Sequence, residues 1–223
     1  KIMGLRAVPD GDEYDKDVAL AIRYAVDNGA QIINTSFGKG YSPHREWVWE
    51  ALKHAEKNNV LIVNAAGNSG ANIDPGKKKT YITDEVKGKE IVSNFLTVGA
   101  VNSTYDEEQV ASFSNFGSVN VDIFAPGAEI WSSVPNGKYG YYSGTSMAAP
   151  CVTGVAAVIL SFFPKLKPRQ VKKILMNSGL PLYPTIKNPN SGAIVNPKSL
   201  SKSGKIVNLH NALIYASSRK YKK

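Results

Sequence analysis

The feature that most restricts the fold of this chain is the regular alternation of strand-like and helix-like hydrophobic patterns in its first third. Met3 to Val8 reads as a buried strand, and Pro9 to Glu13 as a turn. From Lys16, the apolar residues Val18, Ala19, Ile22, Ala25 and Val26 recur at helical spacing, with Asp15 as N-cap and Asn28-Gly29 as the stop. Ile32 to Ser36 is the next strand. Arg45 to Lys57 repeats the helical period through Trp47, Val48, Ala51, Leu52 and Ala55, and feeds a strand from Val60 to Ala65. A strand, a helix and a second strand within roughly thirty residues form a βαβ unit, whose strands are parallel and whose crossover is right-handed. Two such units predict an α/β fold: a doubly wound, mostly parallel sheet with helices on both faces.

The remainder extends this pattern. Residues 71–92 read as a Lys- and Gly-rich loop, and Phe95 to Val101 as a strand. Ala111 to Gly117, Val121 to Phe124 and Ile130 to Val134 read as short strands. Pro168 opens a helix to Asn177 that Gly179 ends, residues 180–204 are loop-rich, and Val207 to Ala216 is a closing helix. With 223 residues, 43% of them apolar, and no dividing linker, one domain over residues 1–223 is expected. No apolar run approaches a membrane span and no signal-peptide pattern opens the chain. The net charge of +9 lies largely in Lys77 to Lys79, Lys165 to Lys173 and Arg219 to Lys223. Without a nucleic-acid module beside them, these clusters read as solvated surface, and no nucleic-acid partner is expected. A single cysteine, Cys151, excludes an intrachain disulfide and reads as a buried structural thiol.

In open parallel sheets, ligands collect beyond the carboxyl ends of the strands. Two glycine-bearing segments fall there, Ser36-Phe37-Gly38-Lys39-Gly40 and Ala65-Ala66-Gly67-Asn68-Ser69-Gly70. Further on, Gly144-Thr145-Ser146-Met147-Ala148-Ala149-Pro150 precedes the apolar run Val152 to Phe163. This pattern delivers a serine hydroxyl to the first turn of a buried helix, where backbone N–H groups lack intrahelical acceptors and can face an oxyanion. An isolated serine there would be an N-cap; the whole heptapeptide is far more specific.

Several segments, in chain order, resemble the subtilisin-like serine proteases: Ile32-Asn34-Ser36-Gly38, Ala65 to Asn68, Val98-Gly99-Ala100, Ala111 to Ser114 with Ala125-Pro126-Gly127, Gly144 to Pro150, and the ending Gly204 to Ala212. The resemblance implies a serine endopeptidase acting on polypeptides, with Ser146 as nucleophile and Asn68 as side-chain donor of the oxyanion hole. It implies that Ser36, Phe37 and Gly38, with Ala65, Ala66 and Gly67, line the substrate pocket. It also implies a secreted, periplasmic or cell-surface location. No cofactor or metal is expected, because the few carboxylates of residues 71–92 make a poor calcium site. On this reading, Ser146 opens its helix with the hydroxyl directed toward the Asn68 amide.

The match is partial. The family's Asp-Thr/Ser-Gly and His-Gly-Thr-His segments are absent, and His44, His54 and His210 lie in no matching motif. A serine hydroxyl is a weak nucleophile until an oriented base takes its proton, so this polypeptide alone is expected to be inactive. By resemblance, the strand carrying the missing Asp sits between Met3–Val8 and Ile32–Ser36. Two repairs are then expected: another chain fills the gap, as the missing N-terminal segment or a second copy in a homodimer, or Met3–Val8 pairs directly with Ile32–Ser36. The competing functional reading is a non-catalytic peptide- or protein-binding module that keeps the groove. An α/β-hydrolase esterase is disfavoured, because no Gly-x-Ser-x-Gly turn holds the serine.

Overall fold

The computed structural model describes residues 1–218; the basic cluster Arg219 to Lys223 lies outside them. Helix α1 (Asp15–Asp27), strand β1 (Ile32–Thr35), helix α2 (Arg45–Lys57) and strand β2 (Leu61–Ala65) come first. A small hairpin follows, β3 (Glu85–Val86) and β4 (Lys89–Glu90), then β5 (Phe95–Val101), β6 (Ile123–Pro126) and a second hairpin, β7 (Ile130–Val134) and β8 (Lys138–Tyr142). Helices α3 (Thr145–Phe162) and α4 (Pro168–Ser178) lead to β9 (Leu180–Pro181), β10 (Ile186–Lys187), β11 (Ile194–Val195), β12 (Lys205–Ile206) and α5 (Leu209–Ala216). The central sheet runs β1-β2-β5-β6-β12-β9, with β9 antiparallel to β12 and every other pairing parallel.

Alternation along the strands divides the core. Leu61 and Val63 of β2 and Leu96, Val98 and Ala100 of β5 point toward α3, α4 and α5, where they meet Ala148, Val152, Ile159, Val171 and Ala212. Ile62 and Phe95 point the other way, against Val18 and Ile22 of α1 and Leu52 and Ala55 of α2. Helices thus cover both faces, as a mostly parallel sheet requires. Asp15 is the first residue of α1, whose N-cap is Tyr14. Its carboxylate cannot serve as the cap because it accepts from Ser42 Oγ at 2.7 Å and His44 N at 2.8 Å, and pairs with Lys39 at 2.8 Å.

Two expected strands do not form. Met3 to Val8 belongs to no strand, and Met3 and Leu5 are 43% and 38% exposed. A buried strand needs a ladder partner on at least one side, and these residues have none. Direct pairing of Met3–Val8 with β1 is therefore not what the chain does, and the outer edge of β1 stays open. Ala111 to Gly117 is irregular because its side chains take over backbone hydrogen bonding. Ser114 Oγ accepts from Ala100 N at 2.9 Å, while Asn115 accepts from Ser69 N and Ala71 N and donates to Ala66 O.

The open edge has a counterpart in α3. Its 18 residues are apolar enough to cross a membrane by length and composition, yet its inner residues pack on the sheet, as in a core helix. Only 33% of it is buried, with Gly154, Ala157 and Phe162 among the exposed residues. The accessible surface is 11933 Å² for 24.1 kDa, against roughly 10,000 Å² for a compact monomer of that mass.

Behind the sheet, an ionic cluster ties the β3–β4 hairpin to β5 and β6. The Lys172 ammonium donates to Phe95 O at 2.6 Å and pairs with Asp122 at 3.1 Å and Glu90 at 3.4 Å. Lys202 joins the same two carboxylates. Asp84 is buried beside them, with Oδ2 lacking a hydrogen-bond partner. Burial raises its pKa to about 7; Lys172 and Lys202 pull it down, and Glu90 and Asp122 push it up. A folded-state pKa above the unfolded one means that the protonated carboxyl favours the native state. That contribution is complete below an unfolded pKa near 3.8 and is lost as pH rises through about 7. Asp84→Asn, which fixes a neutral group there, is expected to raise Tm relative to the parent at alkaline pH and to lose that advantage near pH 4. Thermal melts of both proteins across this range check it; a Tm difference that does not change with pH would contradict it.

Candidate active site

Ser146 is the second residue of α3, so it stands in the first turn, half-buried, where the sequence expects it. Pro150 lies four residues on and has no N–H, which leaves the Ser146 carbonyl without its intrahelical donor. Ser36 Oγ supplies one at 2.8 Å, and Ser146 Oγ donates to Ser36 O at 3.0 Å. This reciprocal pair joins the start of α3 to the residue following β1. Asn34 and Thr153 extend it: Asn34 Nδ2 donates to Ser36 Oγ at 2.8 Å, and Thr153 Oγ1 donates to Asn34 Oδ1 at 3.1 Å. The Ser146 hydroxyl thus points to Ser36 O and not to the Asn68 amide, because the carbonyl at the end of β1 is a ready acceptor.

Asn68 is nevertheless bound to the same helix start. Gly67 N donates to Thr145 Oγ1 at 3.0 Å, and Thr145 Oγ1 donates to Asn68 Oδ1 at 2.9 Å. Thr145 N donates to that same oxygen, also at 2.9 Å. Two donors on Oδ1 fix which way the amide faces. Its Nδ2 lies on the Gly144 side, 3.2 Å from where a Cβ on Gly144 would stand. Among the described residues Nδ2 has no hydrogen-bond acceptor, and Asn68 is exposed. The arrangement is a free amide donor, held rigidly, beside a serine at a helix N-terminus.

The other expected groove residues frame this point. Gly67 has φ +98, and a Cβ there would lie 2.5 Å from Asn115 Nδ2, so both backbone and space require glycine. Ala66 is buried and Ala65 half-buried. Gly38 lets Tyr81 O approach to 2.7 Å of its missing Cβ, and Lys39 and Tyr81 exchange backbone hydrogen bonds of 2.7 and 2.9 Å. The loop of residues 71–92 thereby closes one end of the groove. Phe37 packs against the cluster under α1 and α2.

No imidazole joins the network. His44 stacks on Trp47 and lies 3.5 Å from Glu46, His54 bonds Asp27 at 2.7 Å, and His210 lies on α5. Cys151 is half-buried, with its thiol pKa raised by burial and Sγ 3.4 Å from Met147 O. Among the described residues no cluster of His, Cys, Asp and Glu is suited to a metal. The positioning roles of Thr145, Asn34 and Asn115 are not legible in the sequence; Pro150 inside a helix is the available signal that the Ser146 carbonyl needs an outside partner.

This is an α/β protein built around a serine at the start of its core helix. The sequence profile of the subtilase family, Peptidase_S8, matches residues 1–204, and the chain belongs to that family. It is 39% identical over 162 residues to the thermophilic serine proteinase of Bacillus sp. (strain AK1), covering 72% of this chain and 36% of that protein. It is 39% identical over 166 residues to the major intracellular serine protease of Bacillus subtilis (strain 168), covering 72% and 48%. The structure of the prenylagaramide maturation protease PagA superposes with a TM-score of 0.74 at 29% identity, covering 96% of this chain and 72% of that one. The chain thus spans about half or less of these curated relatives. They also include a cell wall-associated protease of B. subtilis (strain 168), so family membership does not fix a compartment.

Proposed function

We propose that residues 1–223 form the serine-bearing part of an exported serine endopeptidase, with Ser146 as the nucleophile that takes up the acyl group of a polypeptide substrate. The carbonyl oxygen of the scissile bond, as it becomes an oxyanion, accepts from Asn68 Nδ2 and the backbone N–H of Ser146. Ser36, Phe37 and Gly38 on one side, and Ala65, Ala66 and Gly67 on the other, flank the extended peptide. The observation that carries this reading is the double anchoring of Asn68 Oδ1 by Thr145, which leaves Nδ2 on the Gly144 side without an acceptor among the described residues. A binding module needs no such donor, since an extended peptide is held by backbone edges and side-chain pockets.

The base and its orienting carboxylate come from polypeptide outside residues 1–223, a further segment of the same domain, since a second copy of the chain would bring no base. That partner also covers the open edge of β1 and the exposed side of α3. In the active assembly, Asn68→Ala is expected to lower kcat by about 10²–10³ with little change in KM, the loss typical of one oxyanion donor. Steady-state kinetics on a peptide amide check it. An unchanged kcat would remove Asn68 from the chemistry, and an assembly that turns over no peptide amide would leave the binding-module reading in its place.

A further inference from the structure

Next to the groove, a cleft of about 750 Å³ opens between the loop of residues 71–88 and the sheet. Its floor includes Asn64 and Thr97, cross-strand partners on β2 and β5, so it begins one residue before the Ala65-Ala66-Gly67 wall. Tyr81 lines it while holding Lys39 through backbone hydrogen bonds, so cleft and groove share a wall.

The cleft is rimmed by positive charge in excess of its two carboxylates, Asp74 and Glu85. Lys77, Lys78, Lys79 and Lys87 are exposed around it, and Arg45 adds a fifth cation beside Tyr81 Oη at 3.1 Å. Among the described residues none of the four lysines has an ion pair, whereas Lys39 is paired with Asp15, and Lys172 and Lys202 with Asp122 and Glu90. The two carboxylates lining the cleft are engaged elsewhere. Asp74 accepts from Ser118 N and Oγ, Val119 N and Asn120 N, and Glu85 accepts from Gly88 N. The same Asp74 turn fixes the lysines' backbone, through Lys77 N to Asp74 O at 2.9 Å and Lys78 N to Asn72 O at 3.2 Å. A hydrogen-bonded turn presents three consecutive cations to a cleft whose floor includes Asn64 and Thr97.

We infer that this cleft binds a carboxylate-rich stretch of polypeptide, an acidic segment of the substrate whose neighbouring residues enter the groove. The identification of that polypeptide as substrate rests on the function proposed above; the binding itself does not. A peptide fits better than a nucleic acid, because the cleft has the volume of a few side chains and opens onto the edge where an extended peptide would lie. Carboxylates would be attracted by the lysine field and would hydrogen-bond to the ammonium groups.

The test is fluorescence anisotropy of the chain with a labelled glutamate-rich peptide, its glutamine analogue and a single-stranded oligonucleotide of matched charge. The glutamate peptide is expected to bind about tenfold or more tighter than the glutamine peptide, and to weaken steeply as salt is raised from about 0.05 to about 0.5 M. Lys77→Glu, Lys78→Glu and Lys79→Glu together should abolish that preference, and Lys87→Glu alone should weaken it. Reversing Lys165 and Lys173, on another face, should leave it intact. Circular dichroism verifies that each variant is folded, and Lys87→Glu decides if the triple variant is not. Equal binding of the two peptides, tighter binding of the oligonucleotide, or equal losses from both lysine clusters would overturn the inference. Acidic-peptide binding in a protein whose active assembly hydrolyses nothing would instead overturn the endopeptidase reading while keeping this one.

Discussion

Replacing Lys172 by methionine is expected to destabilise the protein by about 3–5 kcal/mol, the usual cost of removing one partner from a buried ion pair. Lys172 is 8% exposed and serves three acceptors at once: Phe95 O, Asp122 and Glu90. Methionine fills the volume but leaves the Phe95 carbonyl without this donor and Asp122 with Lys202 as its remaining cation, at 3.3 Å. Asp84, already pushed up by burial, loses the group that most lowers its pKa. For a chain of this length the loss corresponds to a fall in Tm of roughly 2–4 °C per kcal/mol, or about 6–20 °C in all. Lys202→Met removes a cation that is 26% exposed and already partly hydrated, so it should cost much less. Thermal melts of the two variants check the ordering. Equal losses would mean that Lys172 is not the centre of the cluster.

The parts of the fold legible in the sequence are those whose own pattern decides them. Helix α2 at Arg45–Lys57, β5 at Phe95–Val101 and β7 at Ile130–Val134 have the bounds that the pattern predicts; α2 carries one apolar face matched to one core, and β5 is buried along its whole length. The failures occur where tertiary partners decide. Met3 to Val8 has the composition of a buried strand and no ladder partner, so it stays outside the sheet. Ala111 to Gly117 has the composition of a short strand, whereas Ser114 and Asn115 act through side-chain hydrogen bonds that no periodicity reveals. β8 is not legible in the sequence, because Lys138-Tyr139-Gly140-Tyr141-Tyr142 lacks alternation; pairing with β7 makes it a strand. At the candidate site, the proximity of Ser146, Ser36, Gly67 and Asn68 was legible from motifs. The hydroxyl's direction and the anchoring role of Thr145 were not, since both depend on distances between segments far apart in sequence.

The second large effect concerns the missing base. Ser146 Oγ donates to a backbone carbonyl, and that acceptor cannot carry the proton away during acyl transfer. His44, His54 and His210 are each held in other contacts or on another element. In subtilisin, a member of this family, loss of the catalytic histidine alone costs roughly a million-fold in kcat; binding and the oxyanion hole retain about 10³–10⁴ over water. The expected rate for residues 1–223 alone is therefore that of a Ser146→Ala control. Supplying the histidine- and aspartate-bearing polypeptide, fused or in trans, should restore several of those orders of magnitude. It should also bury the open edge of β1 and the outer side of α3, and so raise Tm. If a second copy of the chain fills that role, light scattering will report a dimer, and the dimer will still lack a base.

The most direct measurement is covalent labelling by a fluorophosphonate probe, with the adduct located by mass spectrometry. The account predicts no labelling above the Ser146→Ala background for the chain alone. It predicts a single adduct on the Ser146 peptide once the complementing segment is bound, appearing in step with hydrolysis of a peptide amide. Labelling of Ser146 in the isolated chain that is lost on replacing His44, His54 or His210 would contradict it, as would restored hydrolysis with the adduct on any other serine.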